Sequence, residues 1–200
     1  MKTKPLFIVM SAPSGCGKST LIDLLLQEYP DLQYSISCTT RNPRDCEEDG
    51  IDYHFMTMER FRELLDQDAF LEYAKVHDNY YGTLKGPIND VLKEGNSMIL
   101  DIDVAGAAKV RHYVMHHLPP TDPMRAGYVD VFINPPSMEE LRARLEGRGT
   151  DAPEVIERRL INAEGEMARA HEYMHQVTND DLTIAYKRLC DLIDAYSNRM

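Results

Sequence analysis

Ser11-Ala12-Pro13-Ser14-Gly15-Cys16-Gly17-Lys18-Ser19-Thr20 lies between the apolar run Leu6-Phe7-Ile8-Val9-Met10 and the pattern Leu21-Ile22-Asp23-Leu24-Leu25-Leu26. A buried strand that ends in a tight, glycine-bearing turn and opens a helix aims successive backbone N–H groups at one point, where the positive end of the helix dipole also lies. An anion belongs there. The spacing is that of a phosphate-binding loop. Lys18 would reach the outer phosphates of a nucleoside triphosphate as a point charge, and Ser19 puts a hydroxyl where a Mg²⁺ ligand is needed. Residues 12–20 are therefore the candidate nucleotide contacts, with Cys16 a small filler. Ala12 stands where the pattern G-x-x-x-x-G-K-[ST] has its first glycine. That position is expected at negative φ, while Gly15 and Gly17 are free to take positive values.

Outward from this loop, strand and helix patterns alternate in the manner of βαβ units, which predicts a doubly wound α/β sheet with parallel strands covered on both faces. The first strand is expected over Leu6 to Met10 and its helix over Ser19 to Glu28. The continuous apolar runs Ser97-Met98-Ile99-Leu100-Asp101 and Val129-Asp130-Val131-Phe132-Ile133 read as further central strands. Ser137-Met138-Glu139-Glu140 is a capping box, and Asn179-Asp180-Asp181 precedes a last helix through Leu182, Tyr186, Leu189 and Ile193. Between about Gln33 and Glu94 the texture changes to short alternating segments, Tyr34 to Thr39 and Phe70 to Val76, which predicts a small inserted subdomain. His112 to Gly127, with Pro119-Pro120 and Asp122-Pro123, is long for a helix-to-strand connection and is expected as an irregular surface loop.

A chain of 200 residues with 43% apolar content can bury a substantial core without staples. No apolar stretch approaches the roughly 18 residues of a membrane span. The start, Met1-Lys2-Thr3-Lys4-Pro5, shows no signal-peptide pattern, so a cytoplasmic location is expected. Cys16, Cys38, Cys46 and Cys190 form no C-x-x-C pair and have no histidine at zinc spacing, so reduced thiols are the default. The formal charge of −11 argues against a nonspecific nucleic-acid or anionic-membrane surface. A protein handling phosphates must then concentrate its few cations in a cleft.

One such concentration is Ser37-Cys38-Thr39-Thr40-Arg41-Asn42-Pro43-Arg44, where two arginines three apart flank a proline that holds the backbone extended. Planar guanidinium forks suit bidentate phosphate capture. Tyr53, Glu72, Tyr80, Tyr81 and Thr83 add hydroxyls and one carboxylate to the same unit, a set able to hold a second phosphate and read the edge of a base. Glu72 is the sharpest of these: a carboxylate can accept from both N1–H and the N2 amine of guanine, a donor pair adenine lacks.

Taken in order, these motifs resemble the guanylate kinase family. The resemblance also takes in Gly50-Ile51-Asp52-Tyr53, Asn79-Tyr80-Tyr81-Gly82-Thr83, Ile99-Leu100-Asp101-Ile102-Asp103, Pro135-Pro136-Ser137, Arg148-Gly149-Thr150 and Val177-Thr178-Asn179-Asp180-Asp181, and spans nearly the whole chain. It implies phosphoryl transfer from Mg·ATP to GMP, with dGMP a further acceptor to test. The implied fold is that of a P-loop nucleoside monophosphate kinase: a core over 1–36, 95–146 and 167–200, a GMP-binding insert over 37–94 and a mobile lid over 147–166. By resemblance, Ser37, Glu72 and Thr83 fall at the guanine ring and Arg41, Arg44, Tyr53 and Tyr81 around the GMP phosphate. Asp101 and Asp103 match an acidic pair that can organise Mg²⁺ water, arginines or the acceptor. Lys18, Arg44, Arg148 and Arg159 match the cations of the transfer step, and Asn179 a residue near the adenine. Arg158 competes with Arg159; Arg159 is preferred because it directly precedes Leu160. Intact Lys18, Ser19, Arg148 and Arg159 argue against a catalytically silent scaffold domain; a related kinase of another phosphorylated acceptor, such as a ribose phosphate or a different nucleoside monophosphate, is the second alternative, and the trio Ser37, Glu72 and Thr83 is its discriminator.

Overall fold

The strand β1 (Phe7–Ser11) is buried along its whole length, because apolar side chains leave both of its faces. A computed structural model describes residues 4–147, 149 and 151–198. After β1 come α1 (Lys18–Glu28), β2 (Leu32–Tyr34), β3 (Cys38–Thr39), β4 (His54–Phe55), α2 (Met58–Asp66), β5 (Phe70–Val76), β6 (Asn79–Leu84) and α3 (Lys85–Lys93). They are followed by β7 (Ser97–Asp101), α4 (Val104–His117), α5 (Pro123–Ala126), β8 (Tyr128–Asn134), α6 (Met138–Gly147), α7 (Pro153–Met167), β9 (His175–Thr178) and α8 (Leu182–Ser197).

Five strands form a wholly parallel sheet in the order β2-β7-β1-β8-β9. Alternation along β1 divides the core into two layers. Ile8 and Met10 pack with Leu21, Leu25, Leu141, Leu160 and Leu189 from α1, α6, α7 and α8. Phe7 and Val9 face Ile88, Val110 and Met124 from α3, α4 and α5. The connection out of β1 runs towards β2, and that out of β7 towards β8, so the chain leaves two adjacent strands in opposite directions. The crevice beyond their carboxyl ends is the place where such sheets take ligands.

A second sheet, β4-β3-β6-β5, lies wholly within residues 38–84. Its own small core is Cys38, Phe61 and Phe70, the two rings stacked at 4.3 Å. Leu71 crosses into the α3–α4 layer, and Lys109 on α4 donates to the Tyr73 carbonyl, so β5 is tied to the main body. The alternating segment expected over Tyr34 to Thr39 is in fact divided between the sheets. Ser35 N still donates to Ile99 O of the parallel sheet, whereas Ser37 O accepts from His54 N of the second.

The expected irregular loop over His112 to Gly127 is corrected by the structure. α4 continues to His117, and the short helix α5 starts at Pro123, with Asp122 accepting from Met124 N at 2.9 Å as its cap. Met124 plugs the core at 1% exposure. Gly127 then lets the chain pass against the start of β1, since a Cβ there would lie 2.4 Å from Pro5 O. The polar strand β9 is explained by its place at the sheet edge: it pairs with β8 and buries Val177 alone of its four residues. His175 on it meets the Tyr196 hydroxyl at 2.8 Å.

Candidate active site

The turn between β1 and α1 has the backbone that its glycines permit. Gly15 and Gly17 have φ of 97° and 80°, while Ala12 is not among the positive-φ residues, as a Cβ-bearing residue at the first loop position requires. Among the described residues no side chain caps α1, and no acidic residue stands in its first turn, so its leading N–H groups are left for an anion. Asn179, 5% exposed at the end of β9, donates from Nδ2 to Cys16 O at 2.8 Å and braces the loop from behind. Contact is close enough that a Cβ on Gly17 would come within 2.6 Å of that amide nitrogen. Cys16 is buried, and burial pushes its thiol up to about 12, so it is a neutral filler. Pro13 is buried, whereas Ser14, Ser19 and Thr20 are open to varying degrees along the groove.

Lys18 pairs with Asp101 at the end of β7. Burial draws its ammonium down to about 8, with Glu166 and Asp103 pulling the other way. Asp103 serves α4 as its N-cap, Oδ1 accepting from Gly106 N at 2.7 Å. The acidic pair thus divides: one carboxylate faces the loop lysine and the other anchors a helix.

Beyond this pair lies a pocket bounded by Ser37, Tyr53, Glu72 and Tyr81, which shares Asp101, Ile102 and Asp103 with the phosphate-loop groove. An irregularity between Phe70 and Glu72 breaks the β5–β6 register, so that Leu71 enters the core and Glu72 the pocket. Glu72 Oε1 accepts from the fully buried Thr83 hydroxyl at 3.0 Å, and burial raises its carboxyl while that bond opposes the rise. Arg41 Nε donates to the Tyr81 hydroxyl at 3.2 Å, and its guanidinium lies 5.5 Å from the centre of the Tyr53 ring. Arg44 is exposed on the adjacent turn.

On α7, Arg159 donates from Nη1 to Ser14 Oγ at 2.7 Å and pairs with Asp151 at 3.3 Å, while Arg158 is exposed to solvent. Arg148 lies outside the described residues. Three residues at the site escape a reading of the sequence. Glu47 binds Arg41 through both oxygens, Glu166 on α7 lines the phosphate-loop groove, and Arg144 holds Asn179 O at 2.9 Å. Only Glu47 has a local signal, an acid three residues after the second arginine. The exposed Cys46 precedes it.

Comparisons with known proteins agree with this architecture. The family model described as guanylate kinase matches residues 3–196. The guanylate kinase of Bacteroides thetaiotaomicron is 42% identical over 193 residues, covering 96% of this chain and 90% of that protein. That of Rickettsia felis is 42% identical over 195 residues, covering 98% and 96%. Among solved structures, the guanylate kinase from Anaplasma phagocytophilum superposes with a TM-score of 0.72 at 30% identity, over 100% of this chain and 90% of that one. On this agreement of profile, sequence and shape, the chain belongs to the guanylate kinase family.

Proposed function

We propose that the protein transfers the γ-phosphoryl group of Mg-ATP to GMP, giving ADP and GDP, as a cytoplasmic enzyme of purine nucleotide metabolism. The observation that carries this reading is the shared wall: Asp101 to Asp103 borders both the groove of Lys18 and the pocket of Glu72 and Tyr81. Two phosphates seated on either side would meet over it. Among the described residues, no helix is long and apolar enough to cross a membrane.

The donor nucleotide lies with its phosphates along residues 12–20, its γ-phosphate at Lys18 and its base towards Asn179 and Arg144, which line a neighbouring pocket that shares Gly15, Gly17 and Thr20 with the groove. The acceptor base meets Ser37, Glu72 and Thr83, where an ionised Glu72 accepts from the guanine N1–H and N2 amine. Its phosphate meets Arg41, Arg44, Tyr53 and Tyr81. An acceptor phosphate oxygen attacks the γ-phosphorus, and the bond to the β–γ bridging oxygen breaks, its electron pair leaving with ADP. No covalent enzyme intermediate is needed, so alignment and neutralised charge carry the catalysis. Lys18, Arg44, Arg148 and Arg159 supply the cations, each worth several times its bulk-water effect once water is excluded. We assign the division into core (1–36, 95–146, 167–200), insert (37–94) and lid (147–166) to this chemistry. The bond from Arg159 to Ser14, which joins α7 to the phosphate loop, supports a lid that works over the donor.

The donor set suits Mg²⁺: the Ser19 hydroxyl on the first turn of α1 and the carboxylates of Asp101 and Asp103 are hard oxygens on one groove. Ser19 would hold the ion, which when bound neutralises charge on the β- and γ-phosphate oxygens. A steady-state panel of GMP, AMP, UMP and ribose phosphate with Mg-ATP tests the reading. GMP should be the preferred acceptor. Faster turnover of any other, or folded protein that forms no GDP, would defeat it.

A further inference from the structure

The Arg41 guanidinium already holds an anion. Its Nη1 and Nη2 donate to Glu47 Oε2 and Oε1, both at 2.9 Å, and Nη1 also donates to Asn42 O at 2.8 Å. The same carboxylate reaches the neighbouring turn, where Oε2 accepts from Arg44 N at 2.9 Å and Glu47 N donates back to Arg44 O at 3.0 Å. The two side chains are only 17% and 12% exposed. A guanidinium has five N–H groups and two edges that fit an oxyanion bidentately. Glu47 fills the end of the fork. The side edge, Nε–H with the second Nη2–H, faces the Tyr81 hydroxyl, which takes Nε–H at 3.2 Å.

We propose that Glu47 is a positioning residue of the acceptor-phosphate site. It keeps its bonds to Arg41 and to the Arg44 turn while a phosphate monoester binds the side edge of Arg41 beside Tyr81 and Tyr53. This rests on the functional reading above. Displacement of Glu47 by the phosphate is the competing course, and it is the costlier one: it breaks three hydrogen bonds to the carboxylate and leaves that charge, nearly enclosed, next to an incoming dianion. With Glu47 retained, one carboxylate orients both arginines, directly at Arg41 and through the backbone at Arg44. It also cancels the charge of Arg41, so that selection for the phosphate depends on placed donors more than on net positive charge.

The test compares Glu47→Ala and the isosteric Glu47→Gln with the unaltered enzyme, using KM for GMP and ATP, kcat, and calorimetric binding of guanosine, which has no phosphate. Glu47→Ala should raise the KM for GMP about tenfold or more, with some loss of kcat through Arg44, while the KM for ATP and guanosine affinity stay within about twofold. Glu47→Gln, which keeps one acceptor oxygen, should recover part of the loss. An unchanged or lowered KM for GMP in both variants would overturn the inference, the lowered value marking Glu47 as a competitor of the phosphate. So would a loss of guanosine binding equal to that of GMP. If the unaltered enzyme makes GDP and Glu47→Ala behaves like it, this inference alone fails. If the unaltered enzyme makes none, the functional reading falls and this inference with it.

Discussion

The phosphate loop takes its shape from backbone anchored in the buried central strand, whereas the pocket of Glu72 and Tyr81, the proposed acceptor site, is assembled from side chains on a sheet whose strands β3 and β4 have two residues each. With backbone amides as the proposed donors, the loop accommodates Ala12 and a thiol at position 16, but it needs positive φ at Gly15 and Gly17. The pocket is the reverse. In the proposed function its selectivity would reside in single groups such as Glu72, which the Thr83 hydroxyl holds in place. A substitution should therefore act on one nucleotide at a time, and that independence is where the comparison can be broken.

The largest effect is expected for Lys18→Ala, which should lower phosphoryl transfer by about 10² to 10³-fold, as loss of one preorganised charge does. Calorimetric GMP affinity should stay as it was; a matching loss of GMP binding would merge the two sides. Next, Glu72→Ala should weaken GMP by about 1 to 3 kcal/mol through lost or unsatisfied hydrogen bonds, with the KM for ATP unchanged. Equal weakening of both nucleotides would remove Glu72 from the base. A pH profile gives a smaller separation. Because burial draws the Lys18 ammonium down to about 8, its charge is present below that pH and lost above it. The kcat/KM for ATP should fall towards tenfold for each pH unit above the break, while GMP binding across the same alkaline range should not follow it. A profile for ATP that stays flat well past the break would show Lys18 still charged. The smallest effect is expected for Asn179→Ala, which removes the brace on Cys16 O and should cost ATP binding about 1 kcal/mol. A change in GMP affinity instead would show that the loop and the pocket move together.

The same contrast governs how much the order of residues reveals by itself. The loop is legible because its strand, glycines, lysine and helix are contiguous, and the apolar runs of β1, β7 and β8 point to the parallel sheet for the same reason. The split of Tyr34 to Thr39 between two sheets is not legible. It depends on which distant strand, β7 or β4, offers a carbonyl or an amide at each step. The prolines at 119, 120 and 123 read as loop, yet Pro123 occupies the first turn of α5, where its missing N–H costs nothing. Arg144 and Glu166 stay hidden because helix periodicity shows which face is polar, and not which polar face meets a loop far away in sequence.

The position of Cys46 has a practical consequence. Cys16 and Cys38 are buried, with thiols pushed up to about 12 and 11, and Cys190 is half covered, so Cys46 is the cysteine that lies open. It sits in the turn that joins Arg44 to Glu47. An alkylating fluorophore added to the native protein would therefore attach beside the proposed acceptor site, giving an optical reporter of binding there without any engineered thiol.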